Sequence, residues 1–446
     1  MLTSSLPGRL AGRLPFFYGY VVALVAVVAQ ICSSPGQTFA ISAFTPSFQA
    51  DLGMNASQLA AAYMLGTFCA AFPLSIVGPM SDRFGIRATT LVVALALGGA
   101  CVLLGCAHGF FSLFAGFLCL RFLGQGSITL LSSNMVAMWF QAKLGRVNAA
   151  MSVGGAAAFA LVPILLLDSI ELLGWRVSYF LMGGVVVLLM FPLTLFLLKD
   201  RPEELGLRPD GLLPEAITPG PADATGGDRE NQNDKTSRID SNPEFDELAS
   251  TLADAIRQRA FWILAFAFGL WAMTGTGIIF YSLPIFEELG FSSKQASRQL
   301  FGFFSLAMLV GQVGGGILAD RWSMTKLLFA GFASMAGAMW IMTQADAPWH
   351  VVAFAILFGA GQGLAIAVNG AIWVRYYGRQ HLGKIRGAVW CTTVAGSGCG
   401  PFLLGGLKDW SGSFVPGLWL FFGLLACVTP FLLFATKPKL EMARAN

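Results

Sequence analysis

Charge is what this sequence has least of. Only 12% of its 446 residues are Asp, Glu, Lys or Arg, about half the share in an average soluble domain. Hydrophobic residues make up 56% and the mean hydropathy is +0.68. A soluble fold of this length has no interior large enough to hide so much apolar surface. Histidine is scarce as well: His108, His350 and His381 stand far apart with no metal-ligand spacing, so no metal site is expected. The eight cysteines (32, 69, 101, 106, 119, 391, 399 and 427) fall inside apolar runs. They lack the spacing of a zinc site or the loop positions of a disulfide framework, and read as small buried hydrophobes. No phosphate-binding loop ending in Lys-Ser/Thr is present, and no nucleophile stands beside a base. Neither a cofactor nor an enzymatic activity is therefore expected. The net charge of +4 is not gathered into a basic patch, which argues against a nucleic-acid partner. Arg9 and Arg13 precede the first apolar run, but no small-residue cleavage site follows a short apolar core. That run reads as an uncleaved helix.

What the sequence has in quantity is apolar runs long enough to span a bilayer, whose hydrocarbon core of about 30 Å takes roughly 20 residues of helix. Twelve are found, near 17–45, 57–80, 88–107, 110–139, 145–169, 174–198, 260–286, 295–319, 326–344, 349–374, 386–407 and 414–436. The one long polar stretch, 199–258, carries five prolines between 202 and 221 and then a nearly apolar-free segment from Asp228 to Asp246. It reads as a flexible linker, with Glu244 to Gln258 able to form a short amphipathic helix. The predicted fold is an all-α membrane protein of twelve transmembrane helices in two pseudo-symmetric six-helix bundles. The N-terminal bundle takes residues 1–198, the cytoplasmic linker 199–258 and the C-terminal bundle 259–446. Placing both termini in the cytoplasm leaves only Arg176, Lys294, Arg298 and Lys408 outside and Arg121 within a span, with the remaining 23 of the 28 Lys and Arg on the cytoplasmic side. That bias sets the orientation and predicts a multi-pass protein of the cell (inner) membrane.

The two halves repeat each other at an offset near 238 residues. Pro46 and Phe48 match Pro284 and Phe286, and Gly53 matches Gly290. Gly78, Asp82 and Arg83 match Gly316, Asp320 and Arg321. Gly124-Gln125-Gly126 matches Gly361-Gln362-Gly363, and Pro163 matches Pro401. Repeated halves around a central site are a construction of secondary transporters. The stretch Gly78-Pro-Met-Ser-Asp-Arg-Phe-Gly-Ile-Arg87 resembles the signature loop of the major facilitator superfamily. Its second copy runs from Gly316 to Lys326, and Arg121-Phe-Leu-Gly-Gln-Gly126 resembles that superfamily's fourth-helix motif. Tyr18-Gly-Tyr-Val-Val and Arg201-Pro-Glu-Glu-Leu-Gly-Leu-Arg-Pro-Asp-Gly211 resemble the bacterial monocarboxylate and oxalate/formate transporter branch, which implies small carboxylate substrates. Carriers of that branch place an arginine in helix 8; counted back from Asp320, that position here is Gln312.

Arg121 is the one charge placed deep in a span: eleven residues past the start of the fourth run, it lies roughly 16 Å into the membrane. Burying it there costs at least about 2.5 kcal/mol. It must face water, a partner or a substrate, so it is either an anion anchor, gripping a carboxylate through its planar fork, or a structural group bonded to helix 1 or 2. Its counterpart in the repeat is Phe358. Neutral polar residues within the runs complete the candidate substrate-binding set: Gln37, Asn134, Tyr281, Gln312, Gln362 and Asn369, with Gln30, Tyr63, Thr274 and Thr276 as further candidates for the cavity. The resemblance implies that Gly78, Asp82 and Arg83, with Gly316, Asp320 and Arg321, act as a gate. The aspartates would pair with arginine or cap a neighbouring helix. No carboxylate stands at midplane; Asp168, Glu171, Glu287 and Glu288 lie near outer helix ends. This points to facilitated diffusion, exchange, or a proton that travels with the substrate.

The sequence thus predicts a monomeric secondary transporter that carries a small organic anion, monocarboxylate-like, across the lipid bilayer by alternating access, with protons as the candidate coupling ion. Two rivals stand beside it. One is an efflux carrier of neutral or amphipathic compounds, to which Gln312 and the tryptophans Trp271, Trp373 and Trp390 are suited. The other is a transporter-like receptor without flux.

Overall fold

The computed structural model describes residues 15–140, 143–208, 250–319, 321–378 and 382–437. Every regular element among them is helical. In lipid the backbone must satisfy its own hydrogen bonds, and long helices do this segment by segment.

The first run is broken. Helix α1 (Gly19–Cys32) gives way to a 3-10 turn at Ser34–Gly36, and the chain resumes as α2 (Thr38–Ser42) and α3 (Thr45–Leu52). Pro35 has no N–H to continue the ladder, and Gln37 turns extended, with φ −86° and ψ 144°. Helix α4 (Ala56–Phe84) starts on an Asn55 cap that accepts from the Gln58 N–H, with the Gln58 side chain returning to the Asn55 N–H. Then come α5 (Ile86–Gly105) and the fourth run, in which α6 (Phe110–Leu120) and α7 (Thr129–Trp139) are joined by a π-helical turn, Arg121–Ile128. Helix α8 (Leu144–Phe196) holds two of the predicted runs and breaks at Gly174, whose φ of 79° no helical residue adopts.

In the second half α9 (Leu252–Ile256) is the described remnant of the expected amphipathic segment, and residues 209–249 of the linker lie outside the described ones. It is followed by α10 (Arg259–Phe280), α11 (Ser282–Glu288), α12 (Ser293–Leu318), α13 (Met324–Thr343), α14 (Pro348–Tyr377), α15 (Leu382–Ser411) and α16 (Val415–Phe431). Among the described residues ten helices are long and apolar enough to cross a membrane. Helix α8 counts once among them despite its break, and the 30-residue α15 is not among them.

The repeat is visible in three dimensions. The short helices α3 and α11 end alike, at Gly53 (φ 61°) and Gly290 (φ 83°), both left-handed. Packing is close enough to need glycine at backbone crossings. A Cβ on Gly363 would lie 2.1 Å from the Met308 carbonyl oxygen of α12, and one on Gly400 2.0 Å from that of Met273 in α10. Three of the eight cysteines, Cys106, Cys391 and Cys427, are not buried within the chain but exposed, which fits small hydrophobes on faces that an apolar solvent would cover.

The bundle has two distinct ends. At the near end, where the described chain begins, Tyr18 donates to the Leu197 carbonyl, Trp139 to that of Lys199 and Tyr376 to that of Ala435. The far end carries the α3–α4, α5–α6, α11–α12 and α15–α16 junctions and the Gly174 break. There Asp51 accepts from Trp175 at 2.9 Å and also bonds Arg176.

Candidate substrate pathway

The break in the first run creates the site of Arg121. A Cβ on Gly36 would lie 2.1 Å from the Leu120 carbonyl oxygen, and one on Gly124 would lie 2.9 Å from the Gly36 nitrogen. The two glycines thus let the broken segment press against the fourth helix where its π turn begins. Such π turns occur often at functional sites, because the extra residue redirects side chains. Arg121 is the first residue of the turn. Its Nη1 donates to the Gly36 carbonyl at 3.2 Å and to Thr38 Oγ1 at 3.4 Å. Thr38 Oγ1 and the Tyr63 hydroxyl lie 2.7 Å apart, and the guanidinium carbon sits 5.0 Å from the Tyr63 ring centroid. Only 5% of Arg121 is exposed, and its Nε is buried without a hydrogen-bond partner. Its neighbours are a carbonyl, a hydroxyl and an aromatic face. None is an acid.

The other predicted residues separate into groups. Gln37 stands at the break just before α2 and donates to Ser33 Oγ at 3.1 Å, beside the Arg121 cluster. Gln30 accepts from Ser132 at 3.1 Å, tying α1 to α7, where Asn134 is half-buried. Gln362 is buried, within 3.5 Å of Met335 Sδ, and packs against Gly275 of α10. Gln312 is half-buried where α12 crosses α14 at Gly363. Asn369 accepts from the indole of Trp373 at 2.8 Å. Thr274 is turned back onto its own helix, donating to the Leu270 carbonyl at 3.0 Å. Tyr281 stands apart from all of these: it closes the far end, its hydroxyl donating to the Ala56 carbonyl and its ring against Phe280 and Phe414.

Of the predicted gate, Gly78 accepts from Ser81 within its own helix, Arg83 is exposed with its guanidinium over Phe84, and Gly316 and Arg321 are exposed. Asp320 and the Asp82 side chain lie outside the described residues. Neither Arg83 nor Arg321 forms an ion pair among the described residues. The acid that caps a helix here is one sequence reasoning missed: Asp200 accepts from the Arg87 N–H at 2.7 Å, at the start of α5, and fills the space where a Cβ of Gly85 would stand.

Sequence reasoning also missed the residues that join the halves. At the far end Asp409 accepts from the Ala56 and Ser57 N–H groups at 3.2 and 2.8 Å, the first turn of α4. Lys294, at the start of α12, pairs with Asp168 at 2.9 Å and Glu171 at 3.0 Å. These joints are images of each other: the 238-residue offset carries Glu171 onto Asp409 and Ala56 onto Lys294. Each half thus lends an acid to the first turn of a helix in the other. The repeat was the signal that could have found them. Apolar contacts continue the seam, with Tyr63 on Phe280 at 4.6 Å and Phe159 on Phe304 at 4.9 Å between ring centroids. Glu288 accepts from Lys408 at 2.6 Å, from Ser413 and from the Phe414 N–H. Burial alone would raise its carboxyl, but those three donors hold it below the ordinary range.

Two repeated helical halves, sealed to each other at one end and lined by the buried Arg121 and neutral polar groups, define a polytopic membrane carrier. The chain belongs to the major facilitator superfamily, whose sequence profile matches residues 26–346 and 272–445. It is 23% identical over 375 residues to an uncharacterised transporter of this superfamily, YhjX of Escherichia coli K12, covering 82% of each chain. Its fold is that of a bacterial homologue of the human lysosomal transporter Spinster. The inward-facing, unoccupied structure of that protein aligns with a TM-score of 0.62 at 15% identity, over 94% of this chain and 95% of that one. The inward-facing, occupied structure aligns at 0.60, with the same identity and coverage.

Proposed function

We propose that this transporter moves a small organic anion, monocarboxylate-like, by alternating access between two six-helix halves, 1–198 and 259–446, joined by the linker 199–258. Twelve spans follow when α8 is divided at Gly174 and α15 is added to the ten apolar helices. The near end with both termini is cytoplasmic, and the far end is outside. In this arrangement the outer gate is shut by the paired acid-to-helix joints, and the cytoplasmic side is the open one. The protein works as a monomer in the inner membrane.

The observation that carries the anion reading is the surroundings of Arg121. Its contacts are neutral, so its charge stays uncompensated in a low-dielectric interior, where it favours an anion far more than it would in water. The test is uptake of radiolabelled short-chain monocarboxylates into proteoliposomes, with and without an inward proton gradient, for wild type, Arg121→Lys and Arg121→Ala. Saturable uptake by wild type, reduced at least about tenfold in the alanine variant and partly kept by lysine, is the expected result. Both variants are first shown to be folded by gel filtration. Folded wild type that carries no carboxylate would overturn the reading and turn the search to neutral and amphipathic compounds.

A further inference from the structure

Between α14 and α15, in their cytoplasmic halves, lies a half-enclosed groove of about 380 Å³. Its walls are two matching stripes. Ile366, Asn369, Gly370 and Trp373 recur at helical spacing on α14; Arg386, Val389, Trp390 and Thr393 do so on α15. Helix α13 packs on a different face of α14, with Ser334 donating to the Leu357 carbonyl and Gly331 against Gly361. The α14 stripe therefore looks into the bundle, and Trp373 rests there on Phe268 and Phe261 of α10.

The groove has the parts of an anion site. None of its lining residues is acidic. Arg386 is exposed and donates through Nη2 to the Gly370 carbonyl at 2.9 Å, which fixes one edge of a guanidinium that has five N–H donors. The Trp373 indole occupies the Asn369 oxygen, so the Asn369 amide presents its N–H groups as donors. Trp390, 59% exposed, offers a broad apolar face beside the arginine, and Thr393 closes the groove about 10 Å deeper along the helix. Arg121 also lacks acidic neighbours, but it is enclosed and bonded to the broken helix.

We infer that this groove is a carboxylate site on the cytoplasmic side of the pathway, in which Arg386 holds the carboxylate and Trp390 covers a flat, apolar body. The inference rests on the organic-anion reading above and names its substrate class: carboxylates with an aromatic or comparably flat body, bound more tightly than acetate.

Benzoate and acetate are the probes, with full-length protein in detergent for binding and in proteoliposomes for uptake measured from each face. Benzoate quenches tryptophan fluorescence in wild type. Arg386→Gln raises the benzoate Kd about tenfold or more, as expected for loss of a charged hydrogen-bonding partner, and raises the KM from the cytoplasmic face more than that from the outer face. Arg386→Lys lies between. Trp390→Ala reduces the quench and weakens benzoate but not acetate, a selectivity that general misfolding does not produce. If wild type carries benzoate and Arg386→Gln and Trp390→Ala leave its Kd unchanged, the groove is not the site, while the anion reading stands. If folded wild type neither binds nor carries either carboxylate, both fall.

Discussion

Removing the Asp409 carboxylate should open the sealed far end. Asp409 holds two backbone N–H groups of the first turn of α4, at 3.2 and 2.8 Å, across the seam between the halves. The first turn of a helix has unpaired N–H donors and a partial positive charge. A carboxylate there supplies both partner and charge, and removing such a cap costs about 1–2 kcal/mol. Because the cap joins the two halves, the cost falls on the state closed at the far end alone. A bias of that size shifts the ratio of molecules open to closed at that end roughly five- to thirtyfold. Asp409→Asn keeps one acceptor oxygen and should shift the ratio less than Asp409→Ala. Spin labels at exposed far-end positions on either half, Phe111→Cys and Trp410→Cys, would report the change by double electron–electron resonance once the exposed native cysteines are replaced. A longer-distance population that grows in the order wild type, Asn, Ala is expected. Identical distributions in all three would show that the cap does not hold the gate, and the reasoning from helix termini would fail.

The other joints and crossings make sharper claims on stability. Since the folded Glu288 carboxyl is held below its ordinary value of 4.5, its contribution is present at neutral pH and is lost as pH falls through the lowered folded value. Glu288→Gln should therefore melt below wild type at pH 7, and the gap should close as pH falls below 4.5 and through the lowered folded value; a gap that persists in acid would refute the assignment. Gly124→Ala pushes a methyl to within 2.9 Å of the Gly36 nitrogen and 3.0 Å of the Ser33 carbonyl. Neither is a yielding side chain, so a loss of about 1–3 kcal/mol of stability is expected, together with loss of transport. Gly99→Ala, with open space around the added atom, is the control and should be neutral or slightly stabilising by helix propensity. Thermal melting of the detergent-solubilised variants measures all three.

The apolar runs, the Lys/Arg bias and the repeat were legible because the bilayer and the twofold construction act on sequence directly. Lipid demands long apolar helices whatever their neighbours are, and two similar halves show matching residues at a nearly constant offset. Gly53 and Gly290 could be paired on paper and proved to share a left-handed turn. Arg121 could be singled out because a midplane charge is costly in any fold. What the alternation of polar and apolar residues does not contain is the partner across a seam. Asp409 drew no notice in the sequence, and only the fold sets it against the first turn of α4; Tyr281 was grouped with the polar residues of the runs, and only the fold places its hydroxyl on the Ala56 carbonyl. Matching motifs also parted company in space. Gly124-Gln-Gly126 lies in a π turn against a broken helix, while Gly361-Gln-Gly363 runs on in an unbroken α14, because only the first half has Pro35 and Gly36 facing it. By itself the sequence determined which segments are long and apolar enough to span a bilayer, how they repeat and which charge is out of place. The tertiary structure decided which end is shut and what Arg121 touches, because helix packing depends on which side chains meet, and that is a property of pairs of helices rather than of either one.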